Sequence, residues 1–110
     1  MNSAKRARLE AKGWKVGDAQ DFLGLSKEEA AFVEMKLTLA EYLRAARIRR
    51  NLSQARVAEL VGSSQSRVAK MESGDPSVSF DLLLKAVFAV GETPKQVIRA
   101  FSRRKKLVHA

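Results

Sequence analysis

Apolar residues recur at three- and four-residue intervals through much of the chain, the period of a helix that buries one face. The longest such stripe runs through Phe32, Met35, Leu39, Leu43 and Ala46, and neither Gly nor Pro interrupts residues 26–50. Ser26 and Glu29 stand at its start with the spacing of a capping box, in which hydroxyl and carboxylate each take an orphan backbone N–H. Acidic residues lie early in the stripe and arginines late, as the helix dipole favours. The pattern predicts one helix from Ser26 to Arg50, roughly 35 Å long at 1.5 Å per residue. That is longer than a five-helix globule of this size requires, so its N-terminal half is expected to support something extra.

Shorter elements follow. Asn51-Leu52-Ser53 breaks the stripe, and Ser53 is the expected N-cap of a helix from Gln54 to Leu60. Val61-Gly62-Ser63 is a tight connection, after which Ser63 or Ser64 caps a second short helix ending at Glu72-Ser73-Gly74. Gly74-Asp75-Pro76 predicts a loop. Ser79 then caps Phe80–Val90, which Gly91 stops, and Thr93-Pro94 opens Lys95–Phe101, with Pro where its missing N–H costs nothing. Upstream, Gly13-Trp14-Lys15-Val16-Gly17 is a break that carries the only Trp, and Asp18 would cap a short helix through Leu23, ended by Gly24. No segment reads as a strand. The expectation is an all-α fold with an N-terminal extension over 1–25, a helical domain over 26–101 and a basic C-terminal tail over 102–110.

A chain of 110 residues supplies one modest core. It holds no run of the roughly 20 apolar residues that a membrane span needs, and its first residues lack the apolar stretch of a secretory signal. A cytoplasmic protein is the expectation. Cysteine is absent and the single histidine is His109. Disulfides, thiol chemistry and zinc-finger ligation are therefore not expected, and neither metal nor cofactor is called for. The formal charge of +9 and a pI near 10.4 favour a polyanionic partner, nucleic acid ahead of an anionic membrane. Runs such as Lys5-Arg6-Ala7-Arg8, Arg47-Ile48-Arg49-Arg50 and Arg103-Arg104-Lys105-Lys106 hold much of that charge.

Two short helices joined by a Gly-containing turn, the second polar on its leading face, are the parts of a helix-turn-helix, here over about residues 53–74. Val57, Ala58 and Val61 would meet Val68 and Met71, and Ala58 is small enough for a steep helix crossing. Gly62 allows a positive φ in the turn. The opposite face offers Ser64, Gln65, Ser66, Arg67 and Lys70, donors and acceptors of a length suited to a DNA major groove. The same side chains would also suit a merely solvated face. Arg49 and Arg50 are open to two uses, as phosphate contacts or as solubilising charges. Arg103–Lys106 reads as a frayed tail or as a nonspecific DNA contact. Phe80, Leu83, Leu84, Val87 and Phe88 fit a core combined with a dimer surface, and Trp14 either covers the long helix or marks a partner surface. No nucleophile with its base, no carboxylate pair and no Gly-rich phosphate loop is visible, so no catalytic residues and no enzyme are expected.

The segments Leu52-Ser53-Gln54-Ala55-Arg56-Val57-Ala58 and Val61-Gly62-Ser63-Ser64-Gln65-Ser66-Arg67-Val68-Ala69-Lys70-Met71-Glu72-Ser73-Gly74 resemble the Cro/C1-type (XRE) helix-turn-helix family. The resemblance spans roughly residues 39–101 and implies a five-helix, Cro/C1 repressor-like domain. It implies further that Gln54 contacts a phosphate, that Gln65, Ser66 and Lys70 point at bases, and that Ser64 and Arg67 lie near the backbone. Arg47 and Glu72 match a structural ion pair of that family. The segments "GWKVGDAQDFLGLSKEEAAFVEMKL" and "SSQSRVAKMESGDPSVSFDLL" also resemble HigA-like regulators, many of them antitoxin partners of RelE/HigB-like toxins. The implied function is a DNA-binding autorepressor that reads a palindromic operator as a homodimer, with a toxin as possible second partner. Arg49 joins Gln54 as an expected phosphate contact. A general repressor without a toxin, a nonspecific DNA binder and, last, a membrane-surface binder remain the alternatives.

Overall fold

The computed structural model describes residues 24–109, with side chains described as far as Arg103. Among these residues there are five helices and no strand: α1 Lys27–Arg49, α2 Gln54–Val61, α3 Gln65–Ser73, α4 Phe80–Ala89 and α5 Pro94–His109. The short helix expected over 18–23, Trp14 and the basic stretch before it lie outside the described residues. The chain divides into two compact units, 1–35 and 36–110, the division falling inside α1.

Each helix begins and ends through local chemistry. Ser26 and Glu29 form the reciprocal box at the head of α1: Glu29 N–H donates to Ser26 Oγ and Ser26 N–H to Glu29 Oε1. Ser53, Ser64 and Ser79 hold extended backbone and accept from the N–H three residues on, capping α2, α3 and α4. Thr93 and Gln96 form a second reciprocal box at the head of α5. The first four helices share one ending, a residue at positive φ whose own N–H and that of the next residue reach back to the last turn, the Schellman motif. Asn51 closes α1 this way, with Asn51 N–H donating to Ile48 O and Leu52 N–H to Arg47 O. Gly62, Gly74 and Gly91 do the same for α2, α3 and α4.

In the second unit the core draws on every helix. Leu39, Ala40, Leu43 and Ala46 of α1 pack with Val57 and Ala58 of α2, Val68 and Met71 of α3, Leu83, Ala86 and Val87 of α4, and Val97 of α5. Four of these are alanines, which let helix backbones approach closely. The large members are essentially sealed, so truncating Leu43 or Met71 to Ala would cost about 2–5 kcal/mol. Val61 packs against this cluster as a half-buried residue. A nearly buried Lys36 donates its ammonium to Pro76 O at 3.3 Å and ties α1 to the loop after α3.

Two expectations need correction. The α1 stripe continues into the core only from Leu39; Phe32 and Met35 are 55% and 45% exposed. Periodicity marks an apolar face but does not supply something to cover it. The basic segment after Phe101 is helical, since α5 runs on to His109. Residues 102–109 contain neither Gly nor Pro, Arg and Lys are good helix formers, and cations suit a helix C-terminus.

Gly74 and Gly62 share φ +73°, but their surroundings differ. A Cβ on Gly74 would lie 2.6 Å from Leu37 Cδ2, whereas one on Gly62 meets nothing within 4 Å. Gly62→Ala is expected to lose about 1–2 kcal/mol from left-handed strain alone. Gly74→Ala is expected to lose about 1 kcal/mol more, because Leu37 must also leave its rotamer. Urea denaturation of both variants measures the difference, and equal losses would mean that Leu37 yields without cost.

Candidate nucleic-acid interface

Helices α2 and α3 begin alike, each with a Ser cap followed by Gln: Ser53-Gln54 and Ser64-Gln65. The turn between them is short because Gly62 closes α2 and Ser64 opens α3, with only Ser63 in between. Val57 and Ala58 on one side and Val68 and Met71 on the other are buried, which locks the pair together. Burying Val68 and Met71 turns the remaining face of α3 outward. Gln65, Ser66, Arg67 and Lys70 are all exposed, as is Ser64. Ser64 Oγ accepts from Arg67 N–H at 3.2 Å and stands 3.2 Å from Ser66 Oγ, so both hydroxyls have a local partner. The side chains of Gln65 and Arg67 make no hydrogen bond or ion pair with another described residue. Lys70 exerts a weak pull on Asp75, whose carboxyl is held below its ordinary value first by the Ser77 hydrogen bonds.

At the last turn of α3 Glu72 is nearly sealed, its side chain 4% exposed. Arg47 meets it as a fork: Nε donates to Oε2 at 2.6 Å and Nη2 to Oε1 at 3.1 Å. Arg47 Nη1 donates to Leu52 O at 3.0 Å, using the third direction of the guanidinium. Gln54 Nε2 donates to Glu72 Oε1 at 3.2 Å. The Arg47 and Glu72 side chains are thus in contact, and Gln54 is a third member that sequence reasoning did not place there. The Glu72 contact, chiefly through its hydrogen bond, holds the Arg47 guanidinium above its ordinary pKa.

Residues 38–99, more than half of the chain, match the family described as a helix-turn-helix domain. The chain belongs to the helix-turn-helix domain family. Neither curated proteins nor solved structures give a match to it. No helix among the described residues is long and apolar enough to cross a membrane, and no cluster of His, Cys, Asp or Glu there could hold a metal ion.

The helix-turn-helix domain contains a second buried carboxylate, Glu92, with a fully buried side chain. Arg49 Nη2 reaches it at 2.9 Å and Arg50 Nη2 at 2.6 Å, and the Tyr42 hydroxyl donates to the same carboxylate. Arg49, expected at a DNA phosphate, therefore has an internal partner across the domain, and so does Arg50. A contact spanning some forty residues leaves no mark on local periodicity, so sequence reasoning missed Glu92 and Tyr42. The available signal was indirect: three arginines at 47, 49 and 50 crowd the end of one helix and call for counter-charge. Burial alone would raise the Glu92 carboxyl, but hydrogen bonds from Tyr42, Arg50 and Arg49 outweigh it and hold the group below its ordinary value. Tyr42 is pushed up, by burial first and then by Glu92.

A carboxyl with a lower pKa folded than unfolded contributes stability that is full above the unfolded value and fades as pH falls through the folded one. Glu92→Gln should therefore cost about 1–3 kcal/mol at neutral pH, the worth of its charged hydrogen bonds. It should also flatten the loss of stability expected of the native protein below the ordinary value of 4.5. Chemical denaturation from pH 7 to 3 is the check; parallel curves for the two proteins would remove Glu92 from the acid response.

Proposed function

We propose that this helix-turn-helix protein is a sequence-specific transcriptional regulator that binds a two-fold operator as a homodimer. The observation that carries the reading is the outward face of α3, where Gln65 and Arg67 are exposed and have no hydrogen-bond or ion-pair partner among the described residues, while the opposite face is locked in the core. In a major groove Gln65 suits adenine and Lys70 suits guanine, with Ser66 beside them. Gln54, Ser64 and Arg67 set the register on phosphates. Arg49 enters only as a source of positive potential, since its guanidinium already binds Glu92.

One recognition helix spans few base pairs, so a palindrome read by two copies multiplies the affinity. The residues offered for pairing are Phe88 of α4 and Ile98 of α5, apolar yet 39% and 65% exposed. A second role, neutralising a RelE/HigB-like toxin while repressing its own operon, is supported by the resemblance of residues 13–37 to antitoxin-type regulators. The exposure of Phe32 and Met35 in that same segment favours it. Deleting residues 1–25 is expected to spare DNA binding and to abolish toxin capture.

Fluorescence anisotropy with DNA from upstream of the protein's own gene, against scrambled duplex, tests the main reading. A preference of about a hundredfold or more at physiological salt supports it. Equal affinity that collapses with salt would leave only nonspecific binding. Gln65→Ala should lose about 1–3 kcal/mol on the operator and little on scrambled DNA; equal losses on both would take Gln65 out of base reading. Ile98→Glu should turn a dimer into a monomer in sedimentation equilibrium, and an unchanged dimer would move the interface elsewhere.

A further inference from the structure

The contact between Gln54 and Glu72 bears on how the start of α2 meets DNA. A carboxylate only accepts hydrogen bonds, so the end of the Gln54 amide that faces Glu72 Oε1 must be the NH2 group. A DNA phosphate is likewise acceptor-only. An untethered glutamine would present its carbonyl oxygen to a phosphate as readily as its nitrogen, and the oxygen is repelled. Glu72 takes one Nε2 hydrogen and thereby fixes the amide, leaving the second hydrogen as a donor. Arg47 makes this arrangement compatible with an approaching anion, because its two bonds to Glu72 offset the carboxylate charge at contact distance. The set draws one residue from each of three helices: Arg47 from α1, Gln54 from α2 and Glu72 from α3.

We infer that Glu72 is a positioning residue for DNA binding, holding the Gln54 amide so that its free N–H points a donor at a backbone phosphate. The inference rests on the DNA-binding reading above. It gives the last turn of the recognition helix a part in phosphate contact although Glu72 itself touches no DNA.

A double-mutant cycle on a labelled duplex tests it. Gln54→Ala in the full chain should weaken binding about tenfold on operator and scrambled DNA alike, the worth of one net hydrogen bond. The salt slope should stay unchanged, because the amide carries no charge. The same substitution is then made in a protein carrying Arg47→Met and Glu72→Met, which removes the pair without stranding a buried charge. There Gln54→Ala should cost about twofold or less, since the amide is no longer held. An undiminished tenfold loss in that background would overturn the positioning role and leave Glu72 purely structural. No loss in the native background would overturn the Gln54 contact and the role together.

If the methionine pair fails to fold, side-chain amide NMR of the unaltered protein decides. One Gln54 Nε2 hydrogen should be protected from exchange already in the free protein and the second only when duplex is added; a first hydrogen that is fast in the free protein, or a second that stays fast with duplex, would overturn the role. A native protein with no affinity for any duplex would instead refute the DNA-binding reading itself, an outcome distinct from all of these.

Discussion

Taking a carboxylate out of water costs several kcal/mol unless charge and hydrogen bonds are returned to it. Glu72 sits under that constraint, and the geometry of the helix-turn-helix follows from how it is met. Arg47 supplies the opposite charge from α1, Gln54 supplies a further donor from the first residue of α2, and Glu72 itself rides on α3. The relative placement of these helices cannot drift without stretching charge-assisted bonds in a nearly dry site. Apolar packing of Val57, Ala58, Val68 and Met71 brings the helices together, but such contacts are tolerant of small rotations. The ion pair is the directional part.

The same constraint redistributes the charge of the molecule. An excess of +9 invites the picture of a uniformly basic surface, yet the arginines at 47, 49 and 50 are all bound to buried carboxylates. Two of these three charges are offset by Glu72 and Glu92, and Arg49 keeps a side chain 55% exposed. Within residues 53–74 the exposed cations are Arg56, paired with Glu59 of its own helix, and Arg67 and Lys70 of α3. Arg67 and Lys70 thereby place two positive charges on the same exposed helix as Gln65 and Ser66.

Where the helices begin and end was legible in the residues, because capping is local chemistry written over four or five positions. Ser26 with Glu29, the three later serines and the glycines at 62, 74 and 91 mark termini that the structure places within a residue or two of expectation. The outward face of α3 was legible for a related reason, since Val68 and Met71 define the inward one. Long-range features were not, apart from the Arg47–Glu72 pair that the family resemblance implied. Whether Phe32 and Met35 are covered depends on elements that their own helix does not contain. The attachment of Arg49, Arg50 and Tyr42 to Glu92 joins positions forty to fifty residues apart through a loop residue of no evident pattern. The helical state of residues 102–109 was missed because a run of charge was read as a tail, although its side chains are compatible with a helix.

The division of labour on α3 has an evolutionary consequence. Its inward residues and its caps hold the fold, while Gln65, Ser66, Arg67 and Lys70 are exposed and outside the core and the buried ion pair. Substitutions at these four positions can accumulate without eroding stability, so under the DNA-binding reading proposed above the surface offered to a duplex can diversify on an unchanged scaffold. A duplicated gene could in this way acquire a new DNA target through a handful of changes on one helical face.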